Sequence, residues 1–133
     1  MAMKKTFAWT FVLIIFLLLT ACSKPAGEAL TQTQGDYTAS LSFDPDPPVM
    51  MTAVGMSLTL EDGAGQPVEG ARVSYDLTMP AMTMPPNQPT ATEASSGIYE
   101  TEATFTMGGE WQADALVVVN GDTVHFTFDF TVE

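Results

Sequence analysis

From residue 36 onward, apolar and polar positions alternate with a period of two, and no stretch there carries the 3.6-residue period of an amphipathic helix. Tyr37–Phe43 alternates cleanly and is closed by Asp44-Pro45-Asp46-Pro47-Pro48. Met56–Leu60 forms a second run with Met56, Leu58 and Leu60 inward, followed by a polar turn over Glu61–Gly70. Ala71–Met79 puts Val73, Tyr75, Leu77 and Met79 on one face. Thr90–Ala94 reads as a short strand that Ser95-Ser96-Gly97 turns into Ile98–Thr106, and Gly108-Gly109 turns the chain again into Trp111–Val119. Short β-branched and aromatic runs punctuated by Gly, Pro, Asn and Asp predict an all-β domain over 36–133. The expected form is an Ig-like antiparallel β-sandwich of about seven strands.

The last hairpin is the best-determined element. Asn120-Gly121 suits a two-residue type I′ turn, whose central residues both need positive φ. That turn pairs Val119 with Asp122 and sets the register of the rest. Val117 then faces Val124, Ala115 faces Phe126, Ala113 faces Phe128 and Trp111 faces Phe130, small residues against large ones as a packed core requires. The other face carries Gln112, Asp114, Leu116 and Val118 against Asp129, Thr127, His125 and Thr123.

The first residues follow a different logic. Lys4 and Lys5 precede an apolar run, Phe7–Leu19, which is short for a membrane span of about 20 residues but suits a signal peptide. It ends in Leu19-Thr20-Ala21-Cys22-Ser23, which resembles the lipobox of bacterial lipoproteins. The resemblance implies removal of residues 1–21 and acylation of Cys22, the one cysteine of the chain, leaving the protein lipid-anchored on the extracytoplasmic face of the cell membrane. The other reading of these residues is a single-pass anchor with an incidental cysteine. Residues 22–35 are small and polar and read as a flexible tether. After such cleavage all 16 acidic side chains remain, against Lys24 and Arg72. So acidic a surface argues against nucleic acid and against adhesion to anionic headgroups, and fits solubility or a salty milieu.

Candidate chemistry concentrates in Met79-Pro80-Ala81-Met82-Thr83-Met84-Pro85-Pro86. The prolines forbid a helix and interrupt any ladder. Thioether sulfur is a soft, neutral ligand that suits Cu(I), or Ag(I) as its mimic, and ignores Mg and Ca. Methionine is also an adaptable core filler. Met79 continues the inward parity of its strand and reads as core. Met82 and Met84 lie beyond the proline with the opposite parity, and for them the metal and filler readings stay open.

Alternation of direction over the first three strands brings Met50 and Met51 to the end that carries Met79, Met82 and Met84, and if Thr90–Ala94 is a strand, Met107 arrives there too. Met107 is then the best supporting ligand, with Met50 and Met51 weaker candidates. The same counting puts the tethered N-terminus and the Asn120-Gly121 turn at the opposite end, facing the membrane. His125 falls on an outward face away from the sulfurs and reads as surface. No Ser-His-Asp spacing, phosphate loop or Cys/His cluster is present, so no catalytic activity is expected.

The ordered set Leu60-x-Asp62, Gly65-x-Pro67-Val68-x-Gly70-Ala71-x-Val73, Met79-Pro80-x-Met82-x-Met84, Gly97-x-Tyr99 and Phe105-x-Met107-x-Gly109-x-Trp111 resembles the YtkA-like domain, a family related to FixH-type proteins of cytochrome oxidase assembly. The resemblance implies an exported bacterial β-sandwich without known enzymatic activity, often met in copper or oxidase-assembly contexts. Some members carry a histidine beside the Met cluster; this chain has none there. Two functions are therefore expected. One is a membrane-anchored module that binds Cu(I) or exchanges it with a donor or acceptor protein. The other is a metal-free interaction module for a membrane complex of the oxidase-assembly type, using the Met/Pro loop as an adaptable contact. Sacrificial trapping of oxidants by surface methionines is a third, weaker expectation.

Overall fold

The computed structural model describes residues 28–133, so the signal-peptide and Cys22 readings lie outside the described residues. Eight strands follow one another: β1 (Leu30–Gln34), β2 (Tyr37–Asp44), β3 (Ala53–Asp62), β4 (Arg72–Thr78), β5 (Thr90–Ser95), β6 (Ile98–Thr104), β7 (Gly109–Val119) and β8 (Asp122–Val132). All neighbours are antiparallel, in the order β1-β2-β3-β6-β5-β4-β7-β8. The sheet folds over into two layers, with β1, β2, β3 and β6 in one and β4, β7 and β8 in the other. β5 joins them. Thr90 and Ala91 pair with Ser74 and Val73 of β4, after which Thr92, Glu93 and Ser95 pair with β6. The outer edges, β1 and β8, come into contact, so the sandwich is nearly a closed barrel.

The alternating pattern has the expected cause. Leu41, Met56, Leu58, Leu60, Val73, Tyr75, Leu77, Trp111, Ala113, Ala115, Val117, Phe126 and Phe128 all point into the space between the layers and are buried. Every β7–β8 pair predicted from Asn120-Gly121 is present, from Val119 with Asp122 to Trp111 with Phe130. Asn120 and Gly121 have φ of 51° and 80°, as a type I′ turn demands. Each large aromatic buried here contributes about 2–3 kcal/mol. The Tyr75 hydroxyl has no hydrogen-bond partner among the described residues, and burial pushes its acid dissociation well above the ordinary phenol value.

The domain begins earlier than the sequence pattern predicts. Leu30–Gln34, read above as the end of a flexible tether, is an edge strand paired with β2, which raises the strand count to eight. Four of its five residues are exposed, so it has no apolar face to betray it; a single inward leucine and backbone pairing hold it in place. This strand also reverses the entry of the chain. Leu30 pairs with Leu41 and Gln34 with Tyr37, so the segment before β1 approaches from the end where β2 finishes. The expectation that the N-terminal segment leaves beside the Asn120-Gly121 turn is thereby corrected.

Candidate functional site

Strand direction gathers the chemistry-bearing loops at one end, here the methionine end. β2 ends there and β3 begins there, because Asp44 pairs with Gly55. β6 ends there, because Thr104 pairs with Ala53, and β4 meets the start of β7 there, because Thr78 pairs with Gln112. The loops carrying Met50 and Met51, Met79 to Met84, and Met107 therefore share this end. The strand at Thr90–Ser95, on which the place of Met107 depends, is formed.

These loops are stitched together by main-chain hydrogen bonds. The Met50 amide donates to the Glu133 carbonyl (2.7 Å), and the Glu133 amide donates to the Pro48 carbonyl (2.9 Å). The Met51 amide donates to the Phe105 carbonyl (2.8 Å). The Met/Pro segment descends along β4, where the Leu77 amide donates to Asn87 and the Tyr75 amide to Pro89, each at 2.9 Å. The Asn87 side-chain amide reaches the Thr104 carbonyl (3.3 Å), and the Trp111 indole donates to the Met107 carbonyl (3.0 Å). Beneath lies an aromatic floor. Phe43 stacks obliquely on Phe130 at 4.6 Å, and Phe105 meets Trp111 and Phe130 edge-on at 5.0 and 5.6 Å.

The sulfurs do not share one environment. Met79 is 8% exposed and closes the core, in keeping with its parity. Met84 is half-buried against the core, whereas Met82 is half-exposed after a turn in which its amide donates to the Met79 carbonyl (3.2 Å). Met107 and Met50 are half-exposed, and Met51 is 70% exposed. A Cβ on Gly108 would lie 3.8 Å from the Met50 sulfur, and one on Gly109 would lie 3.3 Å from the Met79 methyl. Met50 and Met79, from separate loops, thus each lie against one of the two glycines that directly follow Met107. Gly109 has φ of 125°, which only glycine adopts comfortably. Met51 holds φ of 62°, uncommon for an unbranched side chain other than Asn or Asp. The sequence pattern ranks Met50 low because its approach to Gly108 is arranged by a loop and by the last residue, not by strand parity.

Elsewhere the polar groups are spread over solvated faces. His125 is exposed opposite Leu116, toward the Asn120-Gly121 turn and away from the methionines. A groove on the outer face of the first layer has Gly55 as its floor, between Asp44 and Glu102 on the paired strands, with Ser42, Ser57 and Thr92 along it. Among the described residues no group of three or more His, Cys, Asp or Glu side chains could hold a metal ion. Among the described residues at this end, the candidate donors of a soft-metal site are the thioethers.

The family model for YtkA-like proteins matches residues 31–115. The chain belongs to the YtkA-like family. The soluble domain of PmoD from Methylocystis sp. strain Rockwell is a structural relative, with a TM-score of 0.51 at 14% sequence identity over 78% of this chain and 97% of that one. At that identity the likeness is one of fold. Among curated proteins none matches the sequence.

The residues that carry the YtkA-like resemblance separate into two groups in space. Asp62, Pro67, Val68, Gly70, Gly97 and Tyr99 build the end opposite the methionines. There the Asp62 carboxylate accepts from the amides of Ala64 (2.9 Å) and Gln66 (3.0 Å). Glu93 joins two turns by accepting from the amides of Gly70 (3.0 Å) and Gly97 (3.3 Å). Met79, Met82, Met84, Phe105, Met107, Gly109 and Trp111 build the methionine end. The first group is scaffold; the second is the candidate site of this YtkA-like domain.

Proposed function

We propose that this YtkA-like protein is a membrane-anchored, extracytoplasmic binding module that takes up Cu(I) through thioethers at its methionine end and passes it on by ligand exchange. It has no catalytic role. The gathering of the Met50–Met51, Met79–Met84 and Met107 loops at one end of the sandwich, with Met50 and Met79 each lying against a glycine that follows Met107, is the observation that carries this reading. Thioethers are soft and uncharged, so the donor set fits a soft monovalent ion and is a poor match for Mg, Ca or Zn. Met50, Met79 and Met107 form the donor set, Met79 buried and the other two exposed, with Met82 as an equally exposed arm that meets a donor protein and Met84 and Met51 in support. Loops held by main-chain bonds lose little freedom when an ion arrives, which favours binding.

The test is a competition titration of the acylated protein in detergent against a chromophoric Cu(I) chelator. Wild type is expected to draw copper from the chelator, and Met50→Leu/Met107→Leu to lose at least tenfold in affinity, about 1.4 kcal/mol. Met82→Leu/Met84→Leu is expected to lose less. Failure of wild type to compete at all removes the copper reading. A metal-free contact for a membrane complex would then account for the site, a reading favoured by Val49, an exposed apolar residue at this end that carries no sulfur.

A further inference from the structure

We propose that the methionine end is also a lipid-contact surface, which rests on the bilayer to which the chain is anchored. This rests on the acylation of Cys22 but not on copper binding. Every exposed large hydrophobic among the described residues lies at this end: Val49, Met50, Met51, Met82 and Met107. They come from three separate loops and form the tips of one end of the sandwich. The opposite end and both outer sheet faces carry none. Exposed apolar side chains scattered singly need no explanation, but their confinement to one end does.

The path of the chain decides which surface they meet. β1 runs away from the methionine end, so the segment before it enters from that side. Leu30 stands opposite Leu41, three residues short of Asp44, or about 10 Å below the end of β2. Cys22 lies six residues before Glu28 and cannot be more than about 20 Å from it along the chain. Cys22 is eight residues before Leu30, a reach of about 26 Å, so an acyl group there can lie level with the methionine end. The direction of β1 sets the origin of the tether on the side of the apolar tips.

Energetics and charge agree on the kind of lipid. A lipobox cysteine carries two or three acyl chains, which hold the protein on the membrane by themselves, so the apolar side chains orient the domain on the bilayer and do not anchor it. The end carries the carboxylates of Asp44, Asp46 and Glu133 and no Lys or Arg, so a zwitterionic headgroup layer suits it and an anionic one does not. The main-chain bonds from Met50 to Glu133 and from Met51 to Phe105 hold the tips out, so insertion orders nothing that is not already ordered. In this orientation Met82 and Met107 sit at the interface, where an exchange partner for the site would itself be membrane-embedded.

The experiment uses the acylated full-length protein in phosphatidylcholine vesicles. An environment-sensitive maleimide fluorophore is placed on Met82→Cys or, in a second variant, on Asp122→Cys at the far turn; the acylated Cys22 sulfur does not react. Vesicle flotation reports the anchor independently of the label. The expected result is flotation of both variants, with a lipid-borne quencher acting several-fold more strongly on position 82 than on position 122. Replacing Met50, Met51 and Met107 by serine should reduce that quenching without changing flotation. Flotation with equal quenching at the two positions overturns the lipid contact alone, and quenching that needs added membrane proteins overturns it in favour of a protein partner. Failure to float overturns the anchor and the contact together.

Discussion

The Tyr99 hydroxyl donates to the Val68 carbonyl at 2.7 Å and accepts from the Ala71 amide at 3.0 Å. One side chain of β6 thereby closes the long turn between β3 and β4, clasping the scaffold end of the domain. Tyr99→Phe leaves a carbonyl and an amide without their partner in a part-buried setting, at a cost of about 1–3 kcal/mol. Urea denaturation followed by tryptophan fluorescence should show the lower midpoint; an unchanged midpoint would mean that water replaces the clasp.

Two glycines at the scaffold end separate backbone strain from steric contact. Gly65 and Gly97 have nearly equal positive φ, 74° and 71°. A Cβ on Gly65 meets nothing within 4 Å, whereas one on Gly97 lies 2.7 Å from the Pro67 Cβ. Gly65→Ala should cost about 1 kcal/mol, the penalty of the left-handed conformation alone. Gly97→Ala should cost a further 1–3 kcal/mol or so for overpacking against Pro67 and the Leu60 carbonyl. Equal melting temperatures for the two variants would refute the close approach.

The buried Tyr75 phenol makes the stability sensitive to alkali. Its folded-state pKa is raised by burial above the unfolded value of about 10. The folded state therefore holds the proton longer than the unfolded state, and stability is full below pH ~10 and falls as pH rises above it. Tyr75→Phe removes both this titration and an unpartnered hydroxyl. It should be at least as stable as wild type at pH 7 and should keep its stability further into alkali, as read from thermal melts between neutral and strongly alkaline pH. A parallel loss in both proteins would assign the alkaline transition to other groups.

Cu(I) affinity should be flat between about pH 5.5 and 8 once the chelator's own titration is removed, because a thioether has no proton to lose, whereas an imidazole ligand would weaken as it protonates near 6.5. A steep decline on acidification would implicate His125 in place of the methionines, and His125→Gln would then abolish the slope.

How much of this was legible in the sequence differs sharply between elements. The β7–β8 register followed from Asn120-Gly121 because a two-residue turn leaves no freedom in what pairs with what. The gathering of Met50, Met51, Met79, Met82 and Met84 at one end followed from strand direction alone, and that of Met107 once Thr90–Ala94 was granted as a strand. β1 was hidden because Thr31, Gln32, Thr33 and Gln34 face solvent on both sides of an edge, where pairing rather than apolar pattern defines the strand. The approach of Met50 to Gly108 was hidden for another reason. It depends on a main-chain bond between residues far apart in the chain, Met50 and Glu133, which no periodicity records.

The bond that ties Met50 to the final residue has a practical consequence for handling the protein. Any sequence joined after Glu133 would issue from the midst of the methionine loops, and the N-terminal segment already arrives on that side. A tag or reporter inserted between Asn120 and Gly121 would instead stand at the far pole of the sandwich. That turn is the attachment point from which the methionine end could be presented unobstructed to a sensor surface or a vesicle.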